Sequence, residues 1–188
     1  MQLKSFLLQF NLFSETEIDE AMLLFSKKTF KKGSYFIQEG QKCSEVAFIE
    51  KGVFRSFYMT PKGDEMTYCF RFPGDMMAAY SAFITGKGSV EYIQALSDSE
   101  LLVIPKDQID SLLAKSPAWI HFLKIMAEQQ YLELEERVFQ LQRDSAQERY
   151  QNLIEEQPEY IRRISVQHLA SYLGITQRHL SRIRKAVV

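Results

Sequence analysis

The sequence predicts an α+β chain: an N-terminal antiparallel β-roll (double-stranded β-helix or jelly-roll-like), a long helix, and a small, mostly α C-terminal domain. Three observations predict it. Between residues 29 and 104, short β-rich runs are punctuated by Gly40, Gly52, Gly63 and Gly74. Turn signals at this interval suit an antiparallel sandwich or barrel. Beyond Pro117 the period changes, and Ile120, Leu123, Ala127, Tyr131, Leu134, Val138 and Leu141 recur at steps of three or four that average about 3.5 residues, the seam of a coiled coil. Finally, Ser165 to Lys185 reads SVQHLASYLGITQRHLSRIRK, two short amphipathic helices meeting at a glycine.

The elements come in order. Residues 1–28 read as helical. Ser14 opens S-E-T-E with Glu17 three residues on, a capping box that can start a helix through Ile18, Met22 and Phe25. The runs TFKKGSYFIQEGQ, EVAFIEKGVFRSFYMTPKGDEMTYCFRFPGD and VEYIQALSDSELLVIP supply the strands, and PKGD is a hairpin turn between two of them. Lys106 to Leu113 makes a short helix. The long helix starts at Ser116-Pro117, with serine as cap and proline at the first helical position. Its apolar stripe favours a partner helix, most simply from a second copy; packing on the chain's own sheet is the alternative. Asp144 restarts a helix in DSAQERYQNLIEE, which Gln157-Pro158 ends.

In the last stretch, Leu169, Leu173, Ile175, Leu180 and Ile183 are the positions that pack two helices together. Ala170 is the small residue at their closest crossing. Gly174 sits where the chain must reverse through positive φ, and Thr176 is placed to cap the second helix. This is a helix-turn-helix, and it points to DNA.

Charge supports the same reading. The chain holds 23 Lys and Arg against 24 Asp and Glu. After Glu159 there is no acidic residue, while Arg162, Arg163, Arg178, Arg182, Arg184 and Lys185 all lie beyond it. An acidic body with a basic tail is expected when one end meets phosphate. A solvated charge run is the blander alternative.

Composition excludes other classes. At 188 residues and 46% apolar content the chain can bury a core, yet no apolar run approaches the roughly 20 residues of a membrane span. MQLKSFLLQFNLF lacks the long apolar run and cleavage site of a secretory signal, so a cytoplasmic location is expected. Cys43 and Cys69 are too few for a disulfide framework or a cysteine-ligated cluster. They read as small residues in or beside strands, and a redox role for either would need an exposed, low-pKa thiol. His121, His168 and His179 are scattered. No metal, cofactor or catalytic set is expected: paired carboxylates, a nucleophile elbow and a P-loop are all missing.

A β-roll, a long helix and a C-terminal helix-turn-helix, in this order, resemble the Crp/Fnr superfamily of bacterial transcription regulators. The likeness also rests on FPGDMMAAYSAFITGKGSVEYIQALSDSELLVIP, which is similar to that family's phosphate-binding cassette and its flanking strands. The resemblance implies three parts: a cyclic-nucleotide-binding-like sensor at 1–115, a dimerisation helix at 116–143, and a DNA-binding domain at 144–188. It implies a palindromic double-stranded operator, a homodimer through the 116–143 helix, an unidentified small-molecule effector, and RNA polymerase as a candidate further partner.

In members that bind cyclic AMP, a Gly-Glu pair takes the ribose and an arginine pairs with the phosphate. By position, Gly74 and Asp75 match the first pair, while Ser89 and Val90 fall where Arg and its hydroxyl neighbour stand, and Glu91 is next. A buried cyclic phosphate needs a cation or several donors. Lys87, in a GKG turn, is the one cation close by in sequence. The expectation is therefore that cyclic AMP is not the effector, or binds only weakly. The candidate lining is Gly74, Asp75, Met76, Met77, Tyr80, Phe83, Ser89, Val90 and Glu91, with Gln129 and Gln130 reaching from the long helix. A packed β-roll interior is the alternative reading of the same residues. The oxygen-responsive branch senses through an N-terminal cysteine cluster, and with no cysteine before Cys43 that mechanism is not expected here.

On the second helix, Gln177, Arg178, Ser181 and Arg182 face outward if Leu180 and Ile183 face inward. In the family an Arg-Glu-x-x-x-Arg pattern reads bases here. This chain keeps Arg182 and places Gln177 and Arg178 at the first two positions, which implies a different target. Thr176, Ser165, Arg162, Arg163, Arg184 and Lys185 are phosphate-contact candidates. Only PEYIRRI separates the preceding helix from Ser165, too little for the β-hairpin wing common in the family. The expectation is a dimeric DNA-binding regulator. The alternative is a ligand-sensing or protein-interaction module with a degenerate DNA-binding domain.

Overall fold

The computed structural model describes residues 2–187. Two short helices come first, α1 (Leu3–Leu8) and α2 (Glu15–Met22). The capping box at α2 forms: Ser14 Oγ accepts from the Glu17 amide at 3.2 Å, and Glu17 Oε2 accepts from the Ser14 amide at 2.9 Å. The helix stops at Met22, short of Phe25, and Ser26 already begins a strand, so the β-region starts earlier than the period change suggests.

Eight strands come next: β1 (Ser26–Phe30), β2 (Tyr35–Ile37), β3 (Glu45–Lys51), β4 (Phe54–Met59), β5 (Glu65–Arg71), β6 (Met76–Met77), β7 (Tyr92–Ala95) and β8 (Ser99–Pro105), with α3 (Tyr80–Thr85) between β6 and β7. They form two four-stranded sheets, ordered β1-β8-β3-β6 and β2-β7-β4-β5. The paired strands β1–β8, β3–β8, β3–β6, β2–β7 and β4–β7 are antiparallel. The Pro61–Asp64 turn joins β4 to β5, with the Thr60 amide donating to Asp64 O at 2.9 Å.

Strand alternation sorts the core. Ala47 and Ile49 of β3, Leu101 and Val103 of β8, Phe54 of β4, and Ile93 and Ala95 of β7 meet between the sheets. Phe48, Leu102 and Ile104 point to the other face of the first sheet, where they pack with Leu3, Leu7, Ile18, Trp119 and Phe122. Burying each such side chain is worth about 1.5–3 kcal/mol, so this helical layer holds the sheet in place.

The remaining helices are α4 (Lys106–Lys115), α5 (Pro117–Arg143), α6 (Ala146–Glu156), α7 (Pro158–Arg163), α8 (Val166–Tyr172) and α9 (Gln177–Val187). Pro117 opens α5 as expected, and Ser116 Oγ accepts from the Ala118 amide at 3.3 Å. The cap of α6 is Ser145 rather than Asp144, in a second capping box with Glu148. PEYIRRI is helical up to Arg163: α7 occupies the stretch of chain where a wing would stand.

Contacts divide the chain into two compact units. One runs to Tyr58 and resumes over Cys69–Met126; the other joins Met59–Tyr68 to the chain from Ala127 onward. The division falls inside α5. No helix among the described residues is long and apolar enough to cross a membrane.

Candidate functional site

The helix-turn-helix is built on a small core. Leu169, Ala170, Leu173, Leu180 and Ile183 are buried, and Ile175 is half-buried. Gly174 has φ +69°, and its amide donates to Ser171 O while the Ile175 amide donates to Ala170 O. This is a Schellman closure of α8, which only a residue free of Cβ strain makes without cost. Two residues on, Thr176 Oγ1 accepts from the His179 amide at 3.2 Å and caps α9. Ser165 does the same for α8, accepting from the His168 amide at 3.2 Å.

With Leu180 and Ile183 inside, the outer face of α9 carries Gln177, Arg178, Ser181, Arg182, Arg184 and Lys185, all exposed. An exposed helix whose first two turns carry Gln, Arg, Ser and Arg can present bidentate donors to base edges. The basic run before it is weaker than its sequence suggests. Arg162 and Arg163 are exposed but pair with Glu159 on the same helix, at 3.3 and 4.0 Å. Glu159 is the last acidic residue, and it offsets part of the positive charge on α7.

The β-roll candidates separate. Gly74 and Asp75 form a tight turn in which Asp75 Oδ2 accepts from the Phe72 amide at 2.7 Å. That carboxylate holds its own loop. Met77 enters the core between the sheets, whereas Met76, its neighbour on β6, packs on the helical layer behind the first sheet. Val90 is 70% exposed and lines no interior. Tyr80 and Phe83 pack against the inter-sheet core. Ser89 is buried, but its hydroxyl is already engaged: it donates to Glu91 O at 2.8 Å and accepts from the Glu91 amide at 3.1 Å. Glu91 is also buried. Burial raises the Cys43 thiol above its ordinary pKa, with the Glu91 charge acting in the same direction. Lys87 is exposed in its turn. Gln129 is exposed too, and Gln130 donates to Glu133 on its own helix at 3.3 Å.

A buried cation of the β-roll is not singled out by the sequence. Arg55 of β4 is 2% exposed, donates to Gln94 Oε1 at 3.0 Å, and lies 4.0 Å from the centre of the Phe57 ring. It alternates with Phe54, which faces the inter-sheet core, so Arg55 stands on the opposite face of β4 and adds no cation to the interior. Its only sequence signal is an arginine inside the apolar run VFRSF. Among the described residues no His, Cys, Asp and Glu group could hold a metal ion.

Residues 27–116 match the cyclic nucleotide-binding domain family. The chain is 27% identical over 134 residues to the regulatory protein HlyX of Actinobacillus pleuropneumoniae, covering 71% of this chain and 54% of that protein. It is 30% identical over 105 residues to the fumarate and nitrate reduction regulatory protein of Vibrio cholerae, covering 55% and 41%. The chain thus spans about half the length of the curated relatives it matches. Among solved structures it resembles FixK2 of Bradyrhizobium japonicum (TM-score 0.75, 18% identity, 87% of this chain and 84% of that one). It also resembles the c-di-GMP-responsive regulator CLP of Xanthomonas campestris (TM-score 0.75, 14% identity, 93% and 91%). The Thermus thermophilus catabolite activator protein aligns with a TM-score of 0.61 at 19% identity, over 93% and 84%. The matched domain, the regulators it resembles and the shared order of β-roll, long helix and helix-turn-helix make this chain similar to regulators of the Crp/Fnr type, whose fold it shares.

Proposed function

We propose that the chain is a dimeric, sequence-specific DNA-binding transcription regulator that acts in the cytoplasm and whose β-roll does not respond to cyclic AMP. The observation that carries the reading is the exposed, basic outer face of α9 on a capped and closed helix-turn-helix. Gln177, Arg178, Ser181 and Arg182 enter the major groove, and Arg184 and Lys185 meet phosphate. Thr176, Ser165 and Arg163 stand at the helix ends for further backbone contacts. The exposed stripe on α5 supports dimerisation: Ile120, Tyr131, Leu134, Val138 and Leu141 leave a row of large apolar side chains open to water. Two copies joined there read half-sites about 34 Å apart. RNA polymerase is the natural partner of such a regulator on DNA.

The β-roll argues against a cyclic phosphate. Ser89 stands at the arginine position with its hydroxyl spent on its own turn, and a buried carboxylate, Glu91, lies two residues on. An anionic phosphate there would meet charge of its own sign. The effector, where one acts, is a different small molecule.

One experiment tests the whole reading. Duplexes selected from a random pool by the full chain should converge on a palindrome, and cyclic AMP should leave the measured affinity unchanged. Arg182→Ala should lose roughly 1–3 kcal/mol of operator affinity and relax one base position per half-site. Failure to enrich any sequence would sink the proposal. An Arg182→Ala protein with native affinity and base preference would remove the base-reading assignment.

A further inference from the structure

The last turn of α8 is held from outside at three consecutive residues. Ser171 Oγ donates to Glu65 O at 2.7 Å and accepts from the Thr67 amide at 2.9 Å, both in the first residues of β5 after the turn. Tyr172 O accepts from Nη2 of Arg137 on α5, and that guanidinium also lies 3.9 Å from the centre of the Tyr172 ring. Tyr160 of α7 packs edge-on against the same ring at 5.6 Å. Leu173 O accepts from Nε and Nη2 of Arg149 on α6, at 3.2 and 2.9 Å, and Arg149 Nη1 donates to Asp144 O at 2.5 Å.

A helix end leaves four carbonyls without helical partners. Here the Schellman closure satisfies Ala170 O and Ser171 O. The other two, Tyr172 O and Leu173 O, are the ones that the two arginines take. Their charge also complements the negative end of the helix. Neutral capping would have met the same hydrogen-bond need locally. Guanidinium groups reaching from two other helices instead tie the turn to α5 and α6. Arg137 stands three residues after Leu134 and four before Leu141, so it borders the exposed apolar stripe. Beyond Gly174 only Ile175 and Thr176 separate the held turn from α9, so the direction of α9 is set by where α8 ends.

We infer that Arg137, with Arg149, is a positioning residue for the recognition helix: it fixes α9 relative to the α5 stripe and thereby sets the half-site spacing the dimer accepts. This rests on the dimeric DNA-binding function proposed for the chain. Arg137 is only 9% exposed, and its guanidinium is committed to Tyr172, so it acts through α8 and not on DNA.

The test uses the full chain and its selected operator. Arg137→Gln and Arg137→Lys are compared with the parent on that operator and on versions carrying one extra base pair between half-sites. Arg137→Gln should bind the native spacing about tenfold more weakly while binding the expanded site as the parent does, so that spacing discrimination collapses. Arg137→Lys, which can still stack on Tyr172 and donate once, should recover part of it. The slope of affinity against salt should stay unchanged; a slope lowered by about one phosphate contact would make Arg137 a DNA ligand and overturn the inference. Unchanged spacing discrimination in Arg137→Gln would overturn it as well.

Hydrogen exchange without DNA separates the two proposals. Amides of α8 and α9 should exchange faster in Arg137→Gln while those of β3 and β8 keep their protection. If the parent binds no DNA, the functional reading fails by itself, and unchanged exchange in α8 and α9 then refutes the clamp independently.

Discussion

Gly174→Ala isolates what a single backbone conformation is worth in this helix-turn-helix. Gly174 has φ +69°, in the left-handed region. A Cβ added there would meet Leu141 Cδ2 at 3.6 Å, an ordinary van der Waals contact. Crowding therefore contributes nothing, and the cost is that of holding an L-residue in the left-handed well, about 1–2 kcal/mol. That lowers the folded-to-unfolded ratio about 5–30-fold. Asparagine tolerates this region better, so Gly174→Asn should cost less. Gly52 makes the contrast. Its φ is +106°, and a Cβ would fall 1.9 Å from Ser99 Oγ and 2.9 Å from Ser99 Cα. The neighbouring β8 backbone must move, which adds overpacking of about 1–3 kcal/mol to the backbone term. Urea unfolding monitored by circular dichroism gives the totals, and amide exchange assigns each loss to its unit. Equal costs for Gly174→Ala and Gly52→Ala, or a Gly174→Asn protein weaker than the alanine variant, would refute the reasoning.

Two further outcomes are expected. Val138→Glu places a carboxylate in the α5 stripe of both copies, and sedimentation should find monomer at concentrations where the parent is dimeric; a variant that stays dimeric would move the interface elsewhere. The backbone amide of Ser145, with its hydroxyl, holds Glu148 below the usual glutamate value of 4.5. A depressed folded value means that the contribution of this cap is present above about pH 4.5 and is lost as pH falls through the lower folded value. Glu148→Gln should flatten that acid limb of the stability profile, and an unchanged profile would count against the capping box.

Much of the fold was legible from local signals. The Ser14–Glu17 pair caps its helix, glycines mark the Gly63 and Gly174 turns, and the apolar positions of α8 and α9 are buried or half-buried as their spacing requires. These features depend on residues within a few positions of each other, where hydrogen-bond geometry and helical period leave few choices. The β-roll candidates were read less well because proximity in sequence does not decide the face in a sheet. Met76 and Met77 adjoin in the chain and part at the sheet. Asp75 and Ser89 carry the right chemistry for a ligand but spend it on their own turns. The short PEYIRRI link excludes a wing by length, yet that it forms α7 depends on Pro158 opening a helix that Tyr160 then packs against Tyr172.

Composition and pattern alone determined that this chain would fold as a β-roll, a long amphipathic helix and a basic helix-turn-helix. Periodicity dictates which face of each element must leave water, and burial of that face drives the assembly. The tertiary structure alone decided which charges serve which role. Arg162 and Arg163 share one carboxylate, Glu159, which offsets part of their charge; Arg55 is buried away from the inter-sheet core, and Arg137 and Arg149 close a helix end they do not belong to. An arginine side chain is long enough to reach any of several partners. Only the packed arrangement of helices and strands, which sets what lies within about 3 Å of its guanidinium, selects one of them.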